Sequence, residues 1–388
     1  MEDTADGGDR ESILAMVTDA RLDEFRRVGS ALSGRNGPYG NTDTPVRNTA
    51  HWLMSLAYLW EKTGRESYLE VLHIFARYLR DEWRGSSGAI QCMIDARFGY
   101  INGAIGQAWV IEALVRAAQV LKDETFFHAA VQLFLTQRFI GDVGLWSKVE
   151  LDGNDDGIDP VFNHQLWFAA AGAQILSYRP QSDVCNYLRI FLARLPINFR
   201  IYQSGLIRHF VDAPWLRPLP PRQRARLTVR EAKRTVVAPL GLFHDKYRRL
   251  RFEEGYHWFN LLGFGIIHNV FPKDPFWRSD SFLRALEYGL NETRVRLACS
   301  LPDADNMAVR ASHPLNPYLY GYNSPGFEFS SILRLFGLSE NRLEEDLWQR
   351  SLTLGLDRHS MMFSINTSDP ETLTARLYEM TYGFLAKS

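Results

Sequence analysis

Apolar residues recur three and four positions apart in a series of segments, and each segment is interrupted by a short polar break before it resumes. The first covers residues 48–60, breaks at Lys62, Thr63, Gly64, Arg65 and Glu66, and resumes at Tyr68 and Leu69 to run to about residue 83. The pattern returns over 101–121, with its break at Lys122, Asp123 and Glu124 and its restart at Phe126 and Phe127. It returns again over 162–178, broken at Arg179 and Pro180, with Tyr187 and Leu188 following. The breaks at Gly64, Lys122 and Pro180 are about 58 residues apart, a period that suits helical hairpins. A fourth hairpin is predicted over 254–290, broken at 272–275, and a fifth over 327–354, broken at 337–340. In the fifth, Ser339 is a suitable N-cap, with Glu345 and Asp346 acidic in the early turns. Two single helices, 11–32 and 370–385, bring the number to twelve.

A lone hairpin cannot bury its inner face. Stacked neighbours supply a continuous core, and closing the stack removes the end faces that an open solenoid must cap. If the first and last helices pack together, six pairs close a ring. The expectation is therefore an all-α, single-domain (α/α)6 toroid over residues 1–388, with an insertion at about 197–252.

The breaks within hairpins are short, whereas the connections between hairpins are long: 84–100, 141–161, 197–252 and 291–324. Long loops in a compact domain commonly carry function. All of them lead into the first helix of a hairpin and should gather on one face of the ring. The helix starts on that face are polar and aromatic: Asn48, His51 and Trp52; Asn102, Gln107 and Trp109; Asn163, His164 and Trp167; Glu254, Tyr256, His257 and Trp258; Asn323 and Glu328. A sugar presents apolar C–H faces to aromatic rings and hydroxyl edges to donors and acceptors, so this mixture suits a carbohydrate.

Composition narrows the picture. With 46% hydrophobic residues in 388, the chain can bury a large core, and a net charge of −1 argues against a dedicated nucleic-acid binder. Three cysteines without metal-ligand spacing read as reduced thiols. The N-terminus is acidic and unlike a signal peptide, and no apolar run reads as a membrane span, so a cytoplasmic location is expected. No phosphate loop, zinc helix, nucleophile elbow or dinucleotide fingerprint is present, and no cofactor is expected. Residues 200–251 hold thirteen Arg and Lys against three acids, a net +10 that reads as a solvated excursion or as affinity for an anionic partner.

The run from Trp60 to Leu69, with its Thr63-Gly64 and Tyr68-Leu69, and the run from Asn102 to Trp109, with its Gly106-Gln107-Ala108, resemble the six-hairpin glycosidase superfamily. Gly205, Leu206, His209 and Asp212 also resemble a hairpin of the unsaturated-uronyl hydrolases. The resemblance implies a carbohydrate substrate and one of three chemistries: hydrolysis, elimination or epimerisation.

Hydrolysis needs two carboxyls, one protonated and one ionised. Glu254, in an aromatic setting with His257 beside it, or Asp159 is the candidate acid, and Asp95 near Arg97 the candidate base. The substrate-binding candidates are His51, Trp52, Arg97, Asn102, Gln107, Asn163, His164, Trp167, Arg208, Tyr256 and Glu328. Asp152, Asn154, Asp156 and Gly157 match the opening of an EF-hand loop, but Asn163 stands at its twelfth position; calcium binding, a plain Asp/Asn turn and a substrate-binding loop all stay open, and no metal ligand is assigned. The leading expectation is a glycoside hydrolase acting on an acidic, uronic-acid-containing glycan. The alternatives are a uronate lyase or C5-epimerase using Tyr or His with Arg, and a non-catalytic glycan-binding protein.

Overall fold

The computed structural model describes residues 5–95, 99–211, 243–300, 315–339 and 342–384. Each predicted hairpin is present. Helices α1 (Ala5–Asp19) and α2 (Leu22–Val28) lead into α3 (Val46–Thr63) and α4 (Glu66–Asp81), then α5 (Gly103–Leu121) and α6 (Glu124–Thr136). After a small antiparallel sheet of β1 (Phe139–Ile140), β2 (Leu145–Val149) and β3 (Asp155–Ile158) come α7 (Phe162–Tyr178) and α8 (Ser182–Asn198). The chain continues through α9 (Phe243–Gly255), α10 (His257–Val270), α11 (Asp280–Leu290), α12 (Glu292–Ala298), α13 (Pro325–Phe336) and α14 (Arg342–Gly355). A two-stranded ribbon, β4 (Leu356–Asp357) and β5 (Met362–Phe363), precedes α15 (Pro370–Ala375) and a 3₁₀ segment, Arg376–Thr381.

Helices α3, α5, α7, α10 and α13 pack in succession, and the 3₁₀ segment contacts both α13 and α3. The ring is therefore closed: this is an (α/α)6 toroid. Helices α4, α6, α8, α11 and α14 lie outside their inner partners, and α1 packs on α3. Arg10 of α1 forms ion pairs with Glu344 and Glu345 of α14, joining the two ends of the outer layer.

Sequence separates the layers. In α4 the buried residues are Tyr68, Val71, Leu72, Phe75, Ala76 and Leu79, one stripe at helical spacing. In α3 every residue from Val46 to Leu59 is buried, and in α5 every residue from Gly103 to Ala118. By length and composition alone α5 could pass for a membrane span, but 83% of its most apolar window lies inside the protein, as expected of a core helix. Gly64 ends α3 in the left-handed conformation at φ +65°, and its N–H bonds to the Trp60 carbonyl at 2.8 Å.

Three elements differ from expectation. The helix expected over 11–32 breaks at residues 20–21 into α1 and α2. The helix expected from 254 is split at Tyr256, where α9 ends and α10 begins. The last helix tightens into 3₁₀ geometry after Ala375, which lets one short segment take the sixth inner place. The three-stranded sheet occupies a connection whose turn residues carried no helical period. Most of the basic insertion lies outside the described residues.

Candidate active site

The inner helices start at the same end of the ring, and there the structure holds a cavity of about 670 Å³, of a size suited to a small ligand. It is lined by residues at or near the starts of α3 (Arg47), α5 (Asn102, Gly103), α7 (Asn163, His164) and α10 (Tyr256), by Asn323 just before α13, and by Arg376 at the start of the 3₁₀ segment. Helix N-termini carry partial positive charge, so the site's fixed dipoles favour anions.

Asp159 is the centre of one wall. It lies between β3 and α7 and is fixed by its backbone, which donates from N to the Trp146 carbonyl and accepts from the Gln165 side chain. Its carboxylate accepts the Ala104 N–H at 3.0 Å, the Val161 N–H at 3.1 Å and a bond of 2.8 Å involving His164 Nδ1. Burial pushes the Asp159 pKa up, but His164, Lys148 and the Ala104 N–H outweigh it and hold the group below the ordinary carboxylate range. An ionised Asp159 can only accept, so His164 donates through Nδ1, and Nε2 is the ring nitrogen that Asp159 does not hold. Gly103 makes this possible. At φ +64° it adopts a left-handed conformation, and a Cβ there would overlap both Asp159 Oδ2 and His164 Nδ1.

The floor carries two buried guanidiniums. Arg376 is saturated: Nε donates to Glu379 at 2.9 Å, Nη2 reaches Glu328 at 3.2 Å and Glu379 at 2.8 Å, and Nη1 donates to the Tyr322 carbonyl and to Asn323. It lies 4.7 Å from the centroid of Phe259. Arg47 stacks over Trp109 at 4.3 Å and makes longer bonds, 3.2 Å to Asn36 and 3.3 Å to the Tyr322 hydroxyl, with Asp43 at 3.7 Å. Burial raises the Asp43 pKa to about 7 despite Arg47. Tyr39 and Tyr256 join hydroxyls at 2.7 Å across the cavity, and burial pushes both far above the usual phenol range, so both remain proton donors.

Of the residues singled out from the sequence, Asn102, Trp109, Asp156, Asp159, Asn163, His164, Tyr256 and Asn323 line this cavity together. The Asn163 Oδ1 is buried without a hydrogen-bond partner. The others lie elsewhere. His51 is buried beneath the floor, stacked on Tyr378 at 5.0 Å, and burial beside Arg47 and Arg376 keeps it neutral. Trp52 packs against Phe25, and Trp167 stacks on Phe259 at 4.4 Å, donating its indole N–H to the Phe259 carbonyl. Gln107 binds the backbone of Ile90, and Glu328 is the buried partner of Arg376. Glu254 turns to the Tyr288 hydroxyl at 3.4 Å, where burial raises its pKa.

His257 is fully buried, bound to the Ala285 carbonyl at 3.0 Å, and burial pushes it down to about 3. Asp95 does not line the cavity, Arg208 is exposed over the Tyr202 ring, and Arg97 lies outside the described residues. The 152–157 stretch covers the end of the β2–β3 turn and the first three residues of β3, and its carboxylates are engaged locally: Asp152 accepts the Asn154 N–H, Asp155 the Gly157 N–H, and Asp156 faces Lys148. Among the described residues no group of three or more His, Cys, Asp or Glu could hold a metal ion.

Sequence reasoning did not single out Arg47, Arg376, Tyr39, Tyr322, Lys148 or Phe259. His209, which stood only inside a weak motif, also lines the cavity; its carbonyl accepts the Phe162 N–H at 2.8 Å.

A closed ring of helical hairpins with its cavity at the helix starts is the architecture of the six-hairpin glycosidase superfamily. The fold is similar to a cellobiose 2-epimerase from Bacillus thermoamylovorans B4167 (TM-score 0.58, 10% identity, 94% of this chain and 99% of that one). It is similar also to an unsaturated glucuronyl hydrolase specific for heparin (TM-score 0.57, 12% identity, 95% of each chain) and to a D-mannose isomerase (TM-score 0.56, 12% identity, 94% and 97%). No protein-family model matches the sequence. The archaeal glycosylation protein Q of Haloferax volcanii is 34% identical over 380 residues, covering 95% of this chain and 96% of that protein. The chain belongs to the archaeal glycosylation protein Q family.

Proposed function

We propose that this protein is a carbohydrate-active enzyme serving glycosylation, and that its chemistry is proton transfer at a sugar carbon, as in an epimerase, an isomerase or a lyase. The observation that carries this reading is the Asp159–His164 dyad on the cavity wall, 2.8 Å apart. Asp159 orients the imidazole and stabilises the imidazolium that forms when Nε2 takes a proton. Tyr256 and Tyr39 keep their protons and can donate to a developing oxyanion, while Arg47 lends positive charge. His209 is a second imidazole lining the cavity, and the return of the proton falls to it in this reading. The Phe259 and Trp109 rings supply apolar surface for the sugar face. The relative's name supports a role in glycosylation.

Hydrolysis through a carboxylate pair is the second reading. Among the described residues, Asp156 and Asp159 are the carboxylates that line the cavity. Incubation of the enzyme with neutral and uronic-acid oligosaccharides in D2O, read by NMR and mass spectrometry, separates the two. Deuterium at a ring carbon, or an unsaturated product, is the expected outcome, abolished by His164→Asn. Cleavage with addition of water and no carbon-bound deuterium overturns proton transfer in favour of hydrolysis.

A further inference from the structure

The ladder between β2 and β3 pairs Ser147 with Ile158 and Val149 with Asp155, so β3 spends one more residue than β2 over the same span. This is a bulge, and Gly157, at φ +83°, provides the left-handed residue that it uses. Bulges redirect side chains. Here Lys148 and Asp156 both come to line the cavity, with Asp159 two residues beyond the bulge.

The Lys148–Asp156 ion pair is loose, 3.8 Å from nitrogen to oxygen, with the Lys148 side chain 22% exposed and Asp156 53% exposed. The two guanidiniums of the floor are committed differently. Arg376 is enclosed by Glu328, Glu379 and Asn323, and Arg47 by Asn36, Tyr322 and Asp43. An exposed ion pair at that distance contributes little, so a ligand anion can replace Asp156 at small cost.

We propose that Lys148 is the specificity-determining residue of the cavity, seating an oxyanion borne by the sugar, a carboxylate or a phosphate ester, in place of Asp156. This rests on the carbohydrate reading above and adds the substrate class and the residue that reads it. A charge-assisted bond of this kind is typically worth about tenfold or more in affinity.

The test is a calorimetric titration of wild type, Lys148→Gln and Asp156→Asn with a panel of hexoses and the matching hexuronates and hexose 6-phosphates. Wild type is expected to favour one anionic series over the neutral hexoses by about tenfold. The favoured series identifies the oxyanion as carboxylate or phosphate. In Lys148→Gln that ratio falls to about one, and in Asp156→Asn it rises, because the internal competitor is gone. A ratio retained in Lys148→Gln, or absent from a wild type that binds neutral sugars, overturns the proposal alone. Failure of wild type to bind any member of the panel overturns the carbohydrate reading and this proposal with it.

Discussion

Gln107 holds the backbone of Ile90 by two bonds of 2.8 Å, accepting its N–H and donating to its carbonyl. The device recurs one hairpin later, where Gln165 accepts the Trp146 N–H at 2.8 Å and donates to its carbonyl at 2.7 Å. In both cases a glutamine in the early part of an inner helix fastens the connection that leads into it, and so fixes the rim of the cavity. Replacing Gln107 with Leu leaves the buried Ile90 N–H unpaired, at about 1–3 kcal/mol, and its carbonyl with only the weak Cys92 thiol donor at 3.7 Å. The expected result is a lowered melting temperature by calorimetry. Unchanged stability in Gln107→Leu would show that the clamp contributes nothing.

Gly103 is the position where the smallest change should do the most local damage. In Gly103→Ala the new methyl meets Asp159 and His164, and a left-handed φ is imposed on alanine. Loss of activity of about a hundredfold is expected, in the range of losing a general acid–base group, together with a fall in stability. Steady-state kinetics on the folded variant, confirmed by circular dichroism, tests this.

Glu112 of α5 is buried and accepts from Gln174 at 2.9 Å and from the Tyr378 hydroxyl at 3.3 Å. Burial raises its pKa to about 8, against the ordering effect of those two donors. Between the ordinary carboxylate value and about 8 the folded state binds a proton that the unfolded state has released, so stability declines as pH rises through that window. Glu112→Gln removes this decline and should be more stable at pH 8 by about 1–3 kcal/mol. Chemical denaturation at pH 5 and pH 8 checks it; equal gains at both would refute the assignment.

His257 gives the opposite slope. Its folded pKa of about 3 lies below the unfolded value of about 6.5, so the unfolded state takes up the proton first and stability is lost as pH falls from about 6.5 toward 3. In His257→Gln this acid-side loss shrinks. Turnover of the folded variant at neutral pH should stay within about threefold of wild type, because the ring serves the Ala285 carbonyl rather than the cavity. A folded but inactive variant would return His257 to the catalytic set.

The hairpin grammar was legible because it is written in local chemistry. Gly64 and the polar runs at Lys122 and Pro180 end helices whatever the rest of the chain does. The residues expected from the sequence that line the cavity, such as Asn102, Asn163 and His164, stand at the beginnings of inner helices, where position along the helix alone brings them to the mouth. Trp52, Gln107 and Trp167 lie further along and point elsewhere. Nothing in sequence could say so, since α3 and α5 are buried on every side and their polar residues, such as His51, Gln107 and Glu112, are spent on partners inside the protein as well as at the cavity. Arg376 and Lys148 escaped for another reason: one sits in a helix read as unpaired, the other in a sheet turned by a bulge, and only tertiary closure brings them to the dyad.

That closure ties the chemistry to the order in which the chain is completed. Asp369, at the start of α15, accepts the backbone N–H groups of Arg35 at 2.9 Å and Gly37 at 2.8 Å, and Arg376 follows about two turns later to complete the floor. A growing chain that has made α3 through α13 holds the dyad but has an open gap in place of the last inner segment. Contacts separated by more than three hundred residues form last and slowly. The floor of the cavity thus depends on a fastening between segments more than three hundred residues apart, and it is incomplete until the ring closes.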